Sequence, residues 1–441
     1  MRPIGIDLFS GVGGLSLGFE QAGFDVVAAV EYDSIHAAAH AFNFPECATI
    51  ARSVVGLSGA EIRQAAGIGT RKIDVVFGGA PCQGFSLIGQ RALEDPRNLL
   101  VREFVRIVRE LKADYFVFEN VKGLTLGPHR QFLDELIEAF EASGYVVRLP
   151  WKVLNAAAYG VPQSRQRLVL IGARHGRRLP EYPEALFSYP GMSRSERVLR
   201  PGPTCEDALK DIPDAENYGA LLDTDSVSVG HWGRPSSYGD EMRMGSRASW
   251  HFGYQRNWNA QEFTASMRTN HSLISRRRFE ATAVGDVEPI SRFFKLPPDG
   301  LANTLRAGSD ASRGAFTSPR PIHYKFNRCV TVREMARLHG FPDWFRFHQT
   351  KWHGARQIGN AVPPPLARAV ARQVLLAMDI KPARPQRMLP LGDVRLLQMD
   401  MSEASAYWGV VVPIGRRDRK SGARKRKQSE VEADFQQKKY G

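Results

Sequence analysis

The chain has 441 residues, 43% of them hydrophobic and 24% charged, which excludes a fibrous protein and a chain that is disordered throughout. No run approaches the roughly 20 apolar residues of a membrane span, and no basic-then-hydrophobic leader opens the sequence, so we expect a cytoplasmic protein of two or three domains. Four scattered cysteines favour reduced thiols and no metal site. The 60 Lys and Arg against 46 Asp and Glu leave a net charge of +14, which favours a polyanionic partner.

The first 180 residues alternate short apolar strands with amphipathic helices. This alternation predicts an α/β fold with a parallel sheet that is covered on both faces. Strands are predicted at 4–9, 26–30, 73–77, 115–118, 146–153 and 167–173, and helices at 15–22, 34–42, 101–111 and 129–142.

Beyond about residue 180 this alternation stops. Prolines, glycines, serines and tryptophans then predominate to about residue 310, which predicts a second, irregular and partly β domain. Helical periodicity returns at 331–338 and at 366–378. We therefore predict four parts, namely 1–180, 181–350, a return into the first domain at 351–380, and a basic, flexible tail at 381–441.

The tail carries half of the net charge. Residues 381–441 contain 14 basic and 7 acidic side chains, net +7. A solubilising appendage and a phosphate-binding arm both remain open for this composition.

A glycine-rich turn follows the first strand, in Asp7-Leu8-Phe9-Ser10-Gly11-Val12-Gly13-Gly14. Glu31 ends the second strand, 20 residues after Gly11, where an acid accepts hydrogen bonds from ribose hydroxyls. The pair favours a nucleotide-like cofactor, although Ser16 stands where the third glycine of G-x-G-x-x-G belongs. A nicotinamide oxidoreductase and a plain tight turn remain alternatives.

Two further side chains follow predicted strands. Cys82 lies in Ala80-Pro81-Cys82-Gln83-Gly84, where it is placed as a nucleophile, or alternatively as a small buried cysteine. Glu119 ends an almost wholly apolar strand, where desolvation would raise its pKa and suit it to donate a proton. A paired structural glutamate is the alternative.

The order of these motifs resembles that of the DNA (cytosine-5)-methyltransferase family, over about residues 4 to 378. Any one motif is weak, but eight in the right order are specific. They are Asp7–Gly14, Glu31-Tyr32, Pro81-Cys82-Gln83, Glu119-Asn120-Val121, Gln163-Ser164-Arg165-Gln166-Arg167, Thr304-Leu305, Arg333–Pro342 and Gln357–Pro363.

The resemblance implies a fold and a domain plan. We expect a Rossmann-like class I methyltransferase domain, a mostly parallel twisted sheet with helices on both faces, plus a smaller irregular, partly β target-recognition domain. The first would hold the catalytic and cofactor sites, and the second, 181–350, would include Thr304-Leu305 and the helix near 331–342.

The resemblance also implies a reaction, in which a methyl group passes from S-adenosylmethionine to C5 of a flipped cytosine. Cys82 would add to C6 of the base, and Glu119 would hold or protonate N3. Arg165 would donate to the base's O2, and Arg167 would steady the loop or a phosphate.

The implied cofactor is S-adenosylmethionine, without a metal. The usual aspartate that binds the adenine amino group is missing, since Ser53 is the best-matching position. Glu31 would bind the ribose, and Tyr32 would stack on the adenine. The remaining residues expected at the cofactor are Phe9, Gly11, Gly13, Pro81, Leu100, Asn360 and Val362.

The implied partner is double-stranded DNA, bound by a monomer. Residues 86–98 would form a loop that closes over the flipped base. A cognate restriction endonuclease and defence-system proteins remain open as further partners, and we expect no membrane association. The residues expected to contact DNA are Gln83, Ser86, Arg97, Thr304, Arg276 and Arg277.

Three rival functions remain on the sequence alone. A nicotinamide oxidoreductase leaves Pro81-Cys82-Gln83 without a role, and a non-catalytic DNA-binding relative would be expected to lack Cys82 or Glu119. An RNA-modifying relative is disfavoured by the long region between Arg167 and Thr304. Histidines 339, 348 and 353 suggest a metal site, but their mixed surroundings favour surface or packing roles.

Overall fold

The computed structural model describes residues 2–81, 98–127, 129–192, 198–309 and 317–412. Within these ranges no helix is long and apolar enough to cross a bilayer.

Eight strands form one sheet: β1 (Ile4–Leu8), β2 (Asp25–Val30), β3 (Ala48–Ile50), β4 (Val75–Gly78), β5 (Tyr115–Val121), β6 (Tyr145–Val147), β7 (Lys152–Asn155) and β8 (Gln166–Arg174). Their order is β3-β2-β1-β4-β5-β8-β6, and β7 also pairs with β8. The first five strands are parallel, whereas β8 runs antiparallel to β5 and to both β6 and β7. The predicted α/β class is confirmed.

Helices cover both faces of this sheet, and neighbouring strand residues show the division. Phe116 stacks on Phe140 at 3.8 Å between ring centroids, and the next residue, Val117, belongs to the core on the opposite face. Phe77 stacks on Phe19 at 3.7 Å on that opposite face. The first five helices are α1 (Gly14–Ala22), α2 (Ser34–Asn43), α3 (Gly59–Ala65), α4 (Leu99–Leu111) and α5 (His129–Ala142).

In the described part of the second domain, which leaves out residues 193–197 and 310–316, the helices and strands are short. They are α6 (Cys205–Leu209), β9 (Val227–Ser228), α7 (Ser237–Met242), β10 (Gln255–Arg256), β11 (Glu262–Phe263), α8 (Leu273–Ala281) and α9 (Val332–His339).

Buried ion pairs hold this domain together where regular structure is sparse. The fully buried guanidinium of Arg337 lies 3.1 Å from Asp211 and 2.7 Å from Asp343. Arg328 pairs in the same way with Glu334, at 2.8 Å. Because unpaired buried charges are costly, these contacts fix the position of α9 against its surroundings.

The chain then returns to the sheet through α10 (Lys351–Asn360) and α11 (Pro364–Ala377). Helix α11 packs along α1, and glycine permits the close approach. A Cβ on Gly14 would lie 2.3 Å from the carbonyl oxygen of Val362, and one on Gly18 would lie 2.3 Å from Cβ of Ala367.

The C-terminal segment corrects the expectation of a flexible tail from residue 381. It forms β12 (Met388–Leu389), a 3-10 turn (Val394–Leu397) and α12 (Met401–Trp408). Strand β12 pairs with β10, and both the turn and α12 pack on α2. We call residues 388–408 the C-terminal strap. Residues 413–441, which hold the most basic part of the tail, lie outside the described residues.

Candidate active site

The candidate site lies where the strand order of the sheet reverses. Successive strands move outward in one direction from β1 through β2 to β3, and in the other from β4 to β5. In open α/β sheets, ligands bind in the crevice outside the carboxyl ends of the strands at this point. The segments after β1, β2, β4 and β5 therefore form one edge, and they contain the predicted cofactor and catalytic motifs.

The turn after β1 has an unusual backbone. Phe9, Gly11 and Gly13 all have positive φ, at 60°, 55° and 101°. The carboxylate of Glu31 lies directly beneath it, because its oxygens accept from the N–H groups of Gly11 at 2.7 Å and of Asp33 at 2.8 Å. Burial raises the pKa of Glu31.

Tyr32 follows Glu31 and is 61% exposed, so one aromatic ring at this edge is free to stack on a ligand. An acid, an aromatic ring and a tight backbone turn are thus brought together. These residues fit the adenosine half of a cofactor.

Ser16 has a structural role that the motif comparison missed. Its Oγ donates to Oδ2 of buried Asp7 at 2.6 Å, and its N–H donates to the same oxygen at 3.1 Å. Burial raises the pKa of Asp7 to about 8. The serine that replaces the third glycine therefore ties the start of α1 to the end of β1.

The turn after β4 lies against the end of β5. Nδ2 of Asn120 donates to the carbonyl oxygen of Ala80 at 3.0 Å. A Cβ on Gly79 would lie 2.5 Å from Oε2 of Glu119, so only glycine permits this approach. Pro81 is exposed at the end of the described turn, and the next residue is Cys82.

Four predicted site residues lie outside the described residues, in the gap at 82–97. They are Cys82, Gln83, Ser86 and Arg97.

Glu119 is a buried acid at the end of β5. Its Oε1 lies 2.7 Å from Nε of Arg167 on the neighbouring strand β8. Burial raises the pKa of Glu119, and the nearby guanidiniums of Arg167 and Arg165 oppose this only in part. A raised pKa keeps a carboxyl group protonated to a higher pH than an ordinary glutamate, which favours the proton donation that a general acid requires.

Arg165 differs from the expectation that it would donate to the base. It is buried, and its guanidinium donates to the carbonyl oxygens of Leu305 at 3.0 Å, Gly359 at 2.9 Å and Ala361 at 3.0 Å. These bonds assign Arg165 to holding the backbone. Arg167, which contacts Glu119, is the arginine that is placed beside the candidate base site.

The Thr304-Leu305 pair lies along the start of β8. Oγ1 of Thr304 donates to the carbonyl oxygen of Ser164 at 2.7 Å, and the N–H of Leu305 donates to Oε1 of Gln163 at 3.1 Å. The next residue, Arg306, is exposed on this anchored segment. Sequence comparison missed Arg306, although a basic side chain beside a motif was a usable signal.

The other residues predicted at the cofactor differ in how exposed they are. Val362 is buried and its carbonyl contacts the start of α1, whereas Asn360 is exposed at the end of α10. Leu100 is half-buried in the first turn of α4. Oγ of Ser53 accepts from the N–H of Val55 at 3.1 Å, so this hydroxyl contacts the local backbone.

The two arginines predicted on α8 have different surroundings. Both terminal nitrogens of Arg276 pair with the carboxylate of Glu216, one of them at 2.8 Å, and a contact of Arg276 with DNA stays a prediction. The neighbouring Arg277 is exposed.

The histidines that suggested a metal site are used in packing. Nδ1 of His339 accepts from Gln163 at 3.0 Å, and Nε2 of His348 donates to the carbonyl oxygen of Met399 at 3.0 Å. The ring of His353 lies 4.7 Å from that of His348. Among the residues that the structure describes, no group of three or more His, Cys, Asp or Glu could hold a metal ion.

Comparison with known proteins decides the family. The model of the family described as C-5 cytosine-specific DNA methylase matches residues 4–375, most of the chain. The chain belongs to this family. It is therefore an enzyme of the DNA (cytosine-5-)-methyltransferase class.

Individual relatives agree with this assignment. Type II methyltransferase M.XorII of Xanthomonas oryzae pv. oryzae is 57% identical over 419 residues, 95% of each chain. Type II methyltransferase M1.HphI of Haemophilus parahaemolyticus is 33% identical over 375 residues, 84% of this chain and 86% of that protein. The crystal structure of a prophage-encoded DNA modification methyltransferase (E. coli) matches 86% of this chain and 100% of its own, with a TM-score of 0.68 and 31% identity.

Proposed function

We propose that this methyltransferase transfers a methyl group from S-adenosylmethionine to C5 of a flipped cytosine in duplex DNA, through a covalent bond between Cys82 and C6. One observation carries the proposal. The buried, Arg167-paired carboxyl group of Glu119 packs against Gly79 in the turn that leads directly to Cys82.

The chemistry requires both side chains. Addition of the Cys82 thiolate to C6 pushes electrons towards C5 and N3, and Glu119 donates a proton to N3 so that negative charge does not accumulate in the ring. S-adenosylmethionine, when bound, supplies an electrophilic methyl group that C5 can attack. After transfer, loss of the C5 proton to water restores the C5–C6 double bond and releases Cys82 as a thiolate, and N3 returns its proton to Glu119.

The cofactor is proposed to lie along the turn after β1. The Glu31 carboxylate would accept from the ribose hydroxyls, and the exposed ring of Tyr32 would stack on the adenine. The positive φ of Gly11 and Gly13 keeps the turn compact, so a ligand can approach the backbone closely.

The base site is proposed to use Arg167 rather than Arg165. Arg167 already contacts Glu119, so a base that meets one side chain would meet the other. Arg165 would act at a distance, because it holds the Leu305 carbonyl and thereby the segment that carries Thr304 and Arg306.

DNA binding is proposed to rest on the basic surface and on flipping of the target. The net charge of +14 favours phosphate contacts, and Arg306 is exposed next to the Thr304 anchor. Extracting a base from the stack costs a few kcal/mol, which contacts at the rim of the site must offset.

The decisive experiment is covalent trapping. Duplex DNA that contains 5-fluorocytosine at the target should form a stable adduct on Cys82, because fluorine cannot leave as a proton. Cys82→Ser should abolish both the adduct and methyl transfer, since serine offers no accessible anion at neutral pH. More than a tenth of wild-type turnover in this variant would refute the nucleophile assignment.

The other cysteines provide the matched control. Cys47, Cys205 and Cys329 are all buried, so Cys329→Ala should keep both the adduct and the activity.

The biological setting is proposed from the relatives, two of which are named type II methyltransferases. We propose that the enzyme acts as a monomer in the cytoplasm and protects DNA from a restriction endonuclease of the same specificity. Bisulfite sequencing of DNA from expressing cells gives the methylated site. Challenge of that DNA with endonucleases of matching specificity then tests the protection.

A further inference from the structure

The C-terminal strap lies beyond residue 375, where the match to the family model ends. It nevertheless contacts α2, the helix that follows Glu31, the acid proposed to bind the cofactor. Helix α2 begins at Ser34, two residues after Tyr32. Asp33 caps this helix through its side chain, and its N–H is held by Glu31 at 2.8 Å. The start of α2 therefore sets the position of the Glu31-Tyr32 pair.

The end of the strap is fastened to this same point. Nε1 of Trp408 donates to the carbonyl oxygen of Ser34 at 3.2 Å. The hydroxyls of Ser405 and Ser34 lie 3.3 Å apart, and both side chains are fully buried. Hydrogen bonds between fully buried groups hold their partners more tightly than exposed contacts do.

The rest of the strap is fastened along α2 and to the second domain. The carbonyl of Leu389 accepts from the N–H of Asn257 at 2.9 Å, next to the β10–β12 pairing. The N–H of Gly392 donates to the carbonyl of Phe42, near the end of α2, at 2.8 Å. His348, just before α10, donates to the carbonyl of Met399 at 3.0 Å. The strap thus links the second domain to both ends of α2.

We propose that the C-terminal strap is a positioning element of the cofactor site, which holds the start of α2 and thereby the carboxylate of Glu31 and the ring of Tyr32. Trp408 is its decisive residue, because it bonds the first residue of α2. This proposal rests on the proposed cofactor site, since it assigns the strap to the adenosine half of that site. Loss of the strap contact should weaken cofactor binding and leave the chemical step unaffected.

The test uses Trp408→Phe and Trp408→Ala in the full-length protein. Phenylalanine keeps one aromatic ring but removes the N–H donor and the five-membered ring of the indole, so the KM for S-adenosylmethionine should rise about threefold, and about tenfold with alanine. The kcat at saturating cofactor and the Kd for duplex DNA should stay within about twofold of wild type. The lost contact stabilises bound cofactor equally before and during methyl transfer, so it changes the KM for the cofactor and neither of these quantities. If Trp408→Ala does not fold, Trp408→Phe decides.

Tyr407→Phe is the matched control. Tyr407 precedes Trp408 in the same helix and is 57% exposed, and its ring lies 4.9 Å from that of Trp408. Phenylalanine keeps this ring contact, so the KM should stay unchanged. Trp408 variants that lower the melting temperature without raising the KM would overturn the proposal. Failure of the wild-type enzyme to bind S-adenosylmethionine would instead overturn the proposed function, so the two failures are distinguishable.

Discussion

Gly79→Ala is predicted to inactivate the enzyme while leaving it folded. The added Cβ would lie 2.5 Å from Oε2 of Glu119. A relaxed nonbonded contact needs about 3.5 Å, so the carboxylate must move by about 1 Å. It has little room to do so, because Glu119 is 9% exposed and its other oxygen lies 2.7 Å from Arg167.

The expected magnitude follows from this displacement. A misplacement of about 1 Å costs about 10²-fold in rate, which corresponds to about 2.7 kcal/mol of activation free energy. Overpacking should lower the free energy of unfolding by about 1–3 kcal/mol, which leaves most domains of this size folded. Single-turnover methylation at saturating cofactor and DNA measures the first quantity, and urea denaturation measures the second.

Gly219→Ala is the control, since nothing lies within 4 Å of a Cβ at that exposed position. Its rate should match that of the wild type. A Gly79→Ala enzyme that keeps more than a third of the wild-type rate would show that Glu119 need not occupy this position for catalysis.

Three further predictions follow from buried charge and from the basic tail. The rate of methylation, measured by stopped flow, should fall as pH rises through the raised pKa of Glu119, because the proton donor is lost. The Glu119→Gln enzyme should be slower by about 10²–10⁴-fold, and its rate should not show this fall with rising pH. Arg337→Met removes the near ion-pair partner of both Asp211 and Asp343 and leaves them only the more distant guanidiniums of Arg243, at 3.7 Å, and Arg333, at 3.9 Å. It should lower the free energy of unfolding by about 3 kcal/mol in urea titrations. Truncation before Arg416 should reduce the slope of log affinity for DNA against log salt by roughly 2 to 4, with the methylated sequence unchanged. An equal slope would leave the tail as a solubilising appendage.

The strands of the sheet could be predicted because buried parallel strands are short apolar runs. Strand β3 and helix α3 were missed, since β3 has only three half-buried residues and α3 buries only two. The predicted strand at 146–153 proved to be two strands, β6 and β7, separated by Pro150. Strand direction is not encoded in an apolar pattern, so the antiparallel β8 could not be predicted that way.

The positions of Glu31 and Glu119 could be predicted because each lies at the end of a strand, whereas their roles stay predictions. The role of Arg165 could not be predicted, because its carbonyl partners lie 140, 194 and 196 residues further along the chain. The C-terminal strap could not be predicted from composition either, because the basic stretches that follow it dominate the charge of the last 61 residues. Its elements are two to eight residues long, below the length at which periodicity is informative.

The buried guanidinium of Arg165 joins the segment proposed to contact DNA to the segment proposed to contact the cofactor. Its side chain bonds Leu305, in the segment proposed to contact DNA. It also bonds Gly359 and Ala361, which flank Asn360, a residue expected at the cofactor. Arg167, two residues away on β8, contacts Glu119. Because leaving any of these buried bonds unmade is costly, a shift of the Leu305 segment on DNA must carry the cofactor segment with it or break the network. We therefore propose that recognition of DNA and assembly of the base site are coupled through Arg165 and its neighbour Arg167.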